Sequence, residues 1–313
     1  MCEVAVVTTG FFDGVHLGHR QVLETLVSSA RERGEEAIVV SFWPHPRAVL
    51  QQDARDFRLL TSLEEKKQLL LSAGVDRVEV LPFTRAFAAL TARGYLQLLQ
   101  ERFGASLVVM GYDNRIGSDR KTCRQLMEEG ISADLRILLP DTKTPVSVSE
   151  CPFSAGQDTK TPVSVSEAVS STRIRRALEA GDVVSAGAML GYRYGLYGVV
   201  VAGNRLGRTI GFPTANMQLY EPLKLIPANG VYAGEVEVLG GRWKGMCNIG
   251  TRPTVGGSSR TVETHILDFD EDIYGLPLQL RFVQRIRDER KFDSLMELKE
   301  QLEKDRLNSF FQK

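Results

Sequence analysis

The chain has 313 residues, and its 39 Lys and Arg side chains balance 39 Asp and Glu side chains. This length is comfortable for two domains. Because there is no net charge to attract polyanions, we expect neither a nucleic acid nor a membrane surface as partner. No apolar run approaches the roughly 18 residues of a membrane span, and no charged leader precedes the first strand-like run. We therefore expect a cytoplasmic protein whose four separated cysteines are free thiols.

Strand-like and helix-like segments alternate through most of the first half of the chain. Apolar runs typical of buried strands occupy residues 4–7, 37–41, 78–81, 107–110 and 135–139. The segments between them include a helix that a capping box opens at Ser62 and Glu65 and another over residues 91–103. This alternation predicts an α/β domain with a parallel sheet and helices on both faces. Ligands of such sheets bind beyond the carboxyl ends of the strands.

An exact repeat interrupts this pattern. The ten residues 141–150 recur without a change at residues 158–167. One short copy is too little for a solenoid. Its Ser, Thr and Pro content instead predicts a lengthened surface loop, which costs little closure entropy.

The second half differs in composition and pattern, because it is rich in Gly and Pro and contains short alternating runs. Candidate strands occupy residues 197–202, 231–238, 243–249, 262–269 and 278–286. They predict a small antiparallel β-barrel. A last helix follows, opened by a capping box at Ser294 and Glu297. We therefore predict two domains, residues 1–186 and 187–313.

The stretch at residues 8–20 joins the first apolar run to the first helix and carries His16 and His19 among three glycines. Glycines let the backbone turn tightly, and a helix N-terminus offers free N–H groups to a phosphate. Two imidazoles three residues apart can reach the same anion. Two loop histidines alone also fit an ordinary loop or a chance metal pair. In this strand, turn and helix context the stretch favours nucleotide phosphate chemistry.

Residues 16–19 have the HxGH form of a nucleotidyltransferase superfamily, and residues 10–19 as a whole resemble bacterial FAD synthetases. Residues 170–175, Ser-Ser-Thr-Arg-Ile-Arg, are similar to the SSTxIR motif of that family. Residues 41–47 and 111–117 resemble its flavin-binding loops. The second loop departs from the family pattern GYDFRFG, because Asn114 and Ile116 replace two phenylalanines. If those rings contact substrate, flavin binding changes; if they only fill the core, little changes.

The resemblance implies a Rossmann-like HxGH nucleotidyltransferase domain that transfers AMP from ATP to FMN. The implied site residues are catalytic His16 and His19; phosphate-binding Gly10, Phe12, Asp13, Gly18, Ser170, Ser171, Thr172 and Arg175; and flavin-binding His45, Pro46, Asp113, Asn114 and Arg115.

Residues 207–216, which end in Pro-Thr-Ala-Asn, resemble the riboflavin kinase family, and so do residues 229–232, 248–254, 262–269 and 287–292 in the same order. Any of these taken alone is an ordinary turn or strand. The resemblance implies Glu263 as general base. His265 lies two residues on and hence on the same strand face, and we expect it to be structural or to support the site residues rather than to be catalytic. The other implied residues are nucleotide-binding Gly207, Gly211, Thr214 and Asn216, the last two also ligands of Mg²⁺, and flavin-binding Arg290 and Phe292.

Together the two halves are similar to the bifunctional riboflavin kinases and FMN adenylyltransferases. This family implies ATP and Mg²⁺ as co-substrate and metal, riboflavin, FMN and FAD as substrates and products, and no obligate protein partner. Two alternatives stay open: a nucleotidyltransferase with a different phosphate acceptor, and a flavin-binding protein in which one site is inactive.

Overall fold

The computed structural model describes residues 4–50, 57–111, 114–129, 136–139, 169–203, 206–254 and 257–310, apart from the side chains of 206, 252–259 and 308–310. The repeated segment and Asp113 lie outside the described residues. The chain divides into two compact units, Met1–Ser171 (unit 1) and Thr172–Lys313 (unit 2). The domain boundary predicted after residue 186 stays a prediction.

Unit 1 is built around a parallel sheet. Its strands are β1 (Ala5–Thr9), β2 (Glu36–Trp43), β3 (Arg77–Pro82), β4 (Ala105–Val109), β5 (Arg115–Ile116), β6 (Lys121–Thr122) and β7 (Arg136–Leu138). Five of them pair in the order β3-β2-β1-β4-β7, every pair parallel, while β5 and β6 form a separate hairpin. All five residues of β1 are buried. The predicted parallel sheet is thus confirmed, with β1 at its centre.

Six helices accompany this sheet in the described part of unit 1. They are α1 (Leu17–Arg33), α2 (Pro46–Leu50), α3 (Leu63–Ser72), α4 (Arg85–Ala88), α5 (Ala92–Phe103) and α6 (Cys123–Glu128). The capping box of α3 is present, because the Ser62 hydroxyl accepts from the backbone N–H of Glu65 and the Glu65 carboxylate accepts from that of Ser62. The predicted N-terminus of this helix is therefore confirmed.

The loop between β1 and α1, residues 10–16, is tied to the segment that precedes α3. The Asp13 carboxylate accepts hydrogen bonds from the backbone N–H groups of Leu60, at 3.0 Å, and Thr61, at 3.1 Å. Gly14 N–H in turn donates to the Thr61 hydroxyl at 3.1 Å. Asp13 is only 5% exposed, so these bonds form away from water. They fix the loop at the carboxyl end of the central strand.

Unit 2 contains a closed antiparallel barrel. Its strands are β8 (Gly195–Val201), β9 (Ala215–Leu219), β10 (Gly230–Val238), β11 (Gly241–Thr254), β12 (Gly257–Ile266) and β13 (Pro277–Arg287), and its helices are α7 (Ser171–Glu179), α8 (Val183–Leu190), α9 (Leu206–Thr209) and α10 (Leu295–Phe310). The barrel closes in the order β10-β11-β12-β9-β8-β13. Helix α7 starts on the last residue of unit 1. The predicted barrel and C-terminal helix are confirmed.

Strand β9 is the element of the barrel that the apolar pattern does not reveal. Its sequence, Ala-Asn-Met-Gln-Leu, carries two amides in five residues. It exists because β8 and β12 both pair with it. Tertiary pairing therefore supplies what local strand propensity lacks.

Helix α10 is fastened to the barrel by a buried ion pair. The Asp305 carboxylate, 1% exposed, accepts from the guanidinium of Arg287 at 2.8 and 2.9 Å. Among the described residues, no helix is both long and apolar enough to cross a membrane.

Replacing Asp13 with Ala removes the acceptor of two buried backbone N–H groups, and an unsatisfied buried donor costs roughly 1–3 kcal/mol. We expect Asp13→Ala to lower the free energy of unfolding of unit 1 by an amount in that range. Trp43 belongs to unit 1 and the other tryptophan, Trp243, to unit 2. Urea unfolding followed by fluorescence in a Trp243→Phe background therefore reports on unit 1.

Glu64→Ala is the matched control, because this carboxylate is 75% exposed and pairs with Lys67 on the surface. Its expected cost is about 0–1 kcal/mol. Unfolding of Asp13→Ala at the urea concentration of the parent would contradict the anchoring role.

Candidate active sites

The loop between β1 and α1 has an unusual backbone. Phe12 has φ 47° and Val15 has φ 37°, both in the left-handed region that side chains other than glycine rarely adopt. Both side chains are buried, at 4% and 1% exposure. Such strain persists only where the surroundings impose it, and it concentrates at functional sites. The loop is thus held in one conformation by its neighbours.

His16 and His19 lie face to face at the start of α1. His16 is the N-cap residue, and its Nδ1 accepts from the backbone N–H of His19 at 3.3 Å. The two rings stack, with centroids 3.6 Å apart and planes 15° apart. Because α1 begins at Leu17, directly after the cap residue His16, both imidazoles lie at the N-terminus of the helix.

The electrostatic surroundings keep His19 neutral. Burial, with His16 and Lys66, holds the pKa of His19 well below its ordinary value. Its Nδ1 has no hydrogen-bond partner in the described part of the chain. A neutral imidazole donates through one nitrogen and accepts through the other. His19 therefore has a buried ring nitrogen whose hydrogen-bonding capacity the described residues do not use.

The beginning of the second predicted motif lies against this loop within unit 1. The Ser171 hydroxyl donates to the Asp13 carbonyl oxygen at 3.0 Å. A Cβ atom on Gly18 would lie 3.5 Å from the Val169 carbonyl oxygen, so the two segments approach closely. Thr172, which is exposed, and Arg175, which is partly exposed, belong to unit 2. Of the predicted phosphate-binding set, Ser171 is thus brought onto the loop by a direct contact.

The predicted flavin loop after β2 meets the first loop through aromatic contacts. The rings of Phe11 and His45 have centroids 3.8 Å apart, and those of His45 and Phe57 are 4.2 Å apart. Pro46 is partly exposed and opens α2. The contacts place His45 beside residues 10–16, as a shared substrate site requires.

Asn114 and Ile116, the two residues that depart from the family pattern, have different surroundings in the structure. Ile116 is 5% exposed and packs in the hydrophobic core with Tyr95 and Leu126. It fills the core and does not line the site. The Asn114 amide donates to the Thr9 carbonyl oxygen at 3.4 Å, at the end of β1. Arg115 is exposed on the β5–β6 hairpin.

In unit 2, strand register gathers the predicted kinase residues into one row. Glu263 on β12 is opposite Asn216 on β9 and, on its other side, opposite Asn248 on β11. The Thr214 hydroxyl lies 3.5 Å from the Glu263 carboxylate. Sequence reasoning did not single out Asn248, although the family-like segment 248–254 contains it. A carboxylate, a hydroxyl and two amides thus share one place on the barrel.

The loop before β9 is shaped by a close backbone approach. The backbone N–H of Phe212 donates to the Gly207 carbonyl at 2.8 Å. A Cβ on Gly207 would lie 2.1 Å from the Phe212 carbonyl oxygen, so no other residue fits there. Gly211 has φ 84°. His265 Nδ1 lies 2.8 Å from the Pro213 carbonyl oxygen and holds the loop to β12. These contacts agree with the structural role predicted for His265.

A cavity of about 580 Å³ opens beside this loop. Its walls include Val200, Ala215, Ile266 and Phe269. Thr214, which lies beside Glu263, also lines the cavity. The sequence analysis did not predict these walls. The available signal was alternation on β12, where Thr264 and Ile266 fall on the face opposite Glu263 and His265.

The predicted flap, residues 287–292, is packed on its own neighbours. The Arg290 guanidinium lies 4.6 Å from the Phe292 ring centroid and donates to Gln301 at 2.7 Å. Glu289 accepts from the Asn229 amide at 3.3 Å, and a Cβ on Gly250 would lie 2.1 Å from its carboxylate. Gly250 is two residues from Asn248 along β11, so Glu289 lies close to the row that contains Glu263.

Comparisons with known proteins match the two halves of the chain to two enzyme families. The FAD synthetase family model matches residues 2–138, and the riboflavin kinase model matches residues 190–309. The bifunctional riboflavin kinase/FMN adenylyltransferase of Bacillus subtilis (strain 168) is 34% identical over 305 residues, covering 96% of this chain and 90% of that protein. The protein of the same description from Escherichia coli (strain K12) is 38% identical over 309 residues, covering 98% and 92%.

A solved structure matches the whole chain as well. The crystal structure described as a macrolide-efflux protein from Streptococcus pneumoniae aligns with a TM-score of 0.85 and 32% identity, covering 100% of this chain and 96% of that one. Sequence motifs, fold, site geometry and full-length relatives lead to one conclusion: the chain belongs to the family of bifunctional riboflavin kinases/FMN adenylyltransferases.

Proposed function

We propose that this chain carries out two consecutive reactions, the phosphorylation of riboflavin to FMN by unit 2 and the adenylylation of FMN to FAD by unit 1, each with ATP. The observation that supports the proposal is that each unit brings together polar side chains of its own family motifs. Unit 1 holds the stacked His16 and His19, and unit 2 holds Glu263 beside Thr214 and Asn216. An acceptor other than FMN would leave the riboflavin kinase half without a role.

In unit 2, Glu263 acts as general base. It accepts the proton of the ribityl 5′-hydroxyl as that oxygen attacks the γ-phosphate of ATP. The 3.5 Å separation from the Thr214 hydroxyl supports this role, because it brings the base beside the residue proposed to hold the nucleotide's metal. Asn248 and Asn216 flank the base on the neighbouring strands and orient its carboxylate.

Thr214 and Asn216 would hold Mg²⁺. A hydroxyl and an amide carbonyl are hard oxygen ligands, and Mg²⁺ at kinase sites commonly binds few protein groups together with substrate phosphates. The proposal of this pair rests on the chemistry of its oxygen donors and on the position of Thr214 beside Glu263. When bound, Mg²⁺ neutralises charge on the phosphates.

The cavity beside Thr214 takes the nucleoside part of ATP. Val200, Ala215, Ile266 and Phe269 supply apolar walls that suit a flat heterocycle, and the rest of the lining is polar, including Arg208, Asp270, Glu271 and Asp272. Ligand pockets typically combine apolar walls with polar groups. With the heterocycle of ATP in this cavity, the phosphates of ATP extend toward Thr214 and Glu263.

In unit 1, the phosphate of FMN attacks the α-phosphate of ATP, and pyrophosphate leaves. The FMN phosphate is already anionic, so no side chain has to deprotonate it. His16 and His19 act by donating hydrogen bonds to the charge that develops on the phosphates. Ser171, whose hydroxyl donates to the Asp13 carbonyl oxygen, binds the leaving pyrophosphate in this scheme. His45 and Asn114 lie on the flavin side.

Cytoplasmic location, Mg²⁺ dependence and the absence of nucleic-acid, membrane and obligate protein partners stay predictions. So do the individual roles of the site residues.

Removing the His19 imidazole is expected to affect adenylylation alone. Loss of one transition-state donor typically costs about 10² to 10³ in rate. We expect His19→Ala to lose that much FAD formation from supplied FMN, while FMN formation from riboflavin continues. Chromatography of riboflavin, FMN and FAD over time measures both rates in one sample. Undiminished FAD synthesis would rule out His19 as a transition-state donor.

Removing the Glu263 carboxylate is expected to have the opposite effect. Glu263→Ala should stop FMN formation because the attacking hydroxyl keeps its proton, whereas supplied FMN is still adenylylated. Glu303→Ala, an exposed position on α10, serves as matched control and should leave both rates unchanged. Loss of both activities in Glu263→Ala would indicate a misfolded chain, and retention of FMN formation would exclude Glu263 as the base.

A further inference from the structure

Lys66 is a buried cation that the proposed mechanism does not use. Its side chain, on the first turn of α3, is 2% exposed and shares the apolar face of the helix with Leu69 and Leu70. Its Nζ donates to the Phe11 carbonyl oxygen at 3.2 Å and lies 4.5 Å from the centroid of the Phe11 ring. Among the described residues it forms no ion pair.

This burial is costly. An ammonium removed from water loses favourable hydration, and the Asp13 carboxylate offsets that loss only in part, because the pKa of Lys66 is still lowered. The neighbouring Lys67 forms a surface ion pair with Glu64 at 3.1 Å, which shows the ordinary arrangement on this helix. A Leu or Met at position 66 would complete the apolar face without the cost. The positive charge must therefore act on what it touches.

What it touches is the loop of the adenylyl-transfer site. The Phe11 ring packs on His45, and Phe11 precedes Phe12, whose left-handed backbone is strained. A charge-assisted hydrogen bond to the Phe11 carbonyl and a cation–π contact with its ring each favour this one loop conformation. The charge also acts on His19. Lys66 thus acts on both parts of the proposed site, on His45 through Phe11 and on His19 through its charge.

We propose that Lys66 is a positioning residue for adenylyl transfer: its ammonium group holds the Phe11 carbonyl and ring, and thereby keeps the loop in the conformation that presents His16 and His19 to the phosphates. The inference rests on the proposed adenylyltransferase function of unit 1. It concerns one reaction only, because the hydrogen bond and the cation–π contact of Lys66 are both with Phe11, a residue of that unit.

A pH dependence follows from this role. Burial lowers the pKa of Lys66 to about 8, although the Asp13 carboxylate opposes the shift. The titratable groups that face Lys66 are Asp13 and His19, and His16 is stacked on His19. Below that pKa the ammonium is charged and holds the loop. As the pH rises through about 8 the charge is lost, so the rate of adenylylation falls.

Two variants and one control test the proposal. Lys66→Met removes the charge and keeps the apolar stem, whereas Lys66→Arg keeps a charge that does not titrate below about pH 12. Lys67→Met, on the adjacent surface position, is the control. For each protein, kcat and KM are measured for FAD formation from supplied FMN and ATP across the pH range. FMN formation from riboflavin serves as the folding control.

We expect Lys66→Met to lose about 10²-fold in kcat for adenylylation, the size of effect that a small misplacement of catalytic groups produces. KM for ATP should change less, and FMN formation should stay at the wild-type rate. We expect the wild-type enzyme and Lys67→Met to lose adenylylation above about pH 8, and Lys66→Arg to retain it. In Lys66→Met, nuclear magnetic resonance titration of the four histidines should show a higher pKa for His19.

Two results would overturn the inference: a wild-type rate in Lys66→Met, or an unchanged alkaline decline in Lys66→Arg. If Lys66→Met fails to fold unit 1, the comparison of wild type with Lys66→Arg still decides. Failure of the proposed function itself is distinct, because the wild-type chain would then form no FAD from FMN at any pH.

Discussion

The hydrogen bonds from Leu60 and Thr61 to the Asp13 carboxylate are the interaction on which the first site depends. They join the end of the central strand to the start of α3, two segments nearly fifty residues apart in sequence. Because the carboxylate is buried, water does not replace these bonds. The link fixes where α3 begins, and so it brings Lys66 beneath the Phe11 ring. The strained backbone at Phe12 and Val15 persists because these hydrogen bonds and the surrounding packing stabilise it.

The second site depends on a different constraint, the closure of the barrel. A closed barrel has no free edge, so each strand is in register with two neighbours. That register sets Asn248 and Asn216 on either side of Glu263. A slip of one residue would turn Glu263 to the opposite face of β12. The position of the base is therefore a property of the whole barrel.

The two sites handle charge in different ways. In unit 1, a buried Lys66 and a neutral His19 lie near one another, and the lysine helps to keep the histidine neutral. In unit 2, Glu263 is partly exposed beside hydroxyl and amide groups. The first arrangement suits hydrogen-bond donation to phosphates, and the second suits acceptance of a proton. Each follows from what its reaction has to stabilise.

Much of this protein was determined by its sequence. Apolar runs and capping boxes predicted the parallel sheet, the barrel and the ends of several helices, because strand burial and helix capping are local signals. The motifs around His16 and Glu263 predicted the kinds of chemistry. Tertiary structure alone decided the rest. Strand β9 has little apolar pattern and exists through pairing, Ile116 proved to fill the core, and Lys66 acquired a role only when α3 packed beneath Phe11. The physical reason is that these features arise from contacts between distant segments, which local patterns do not encode.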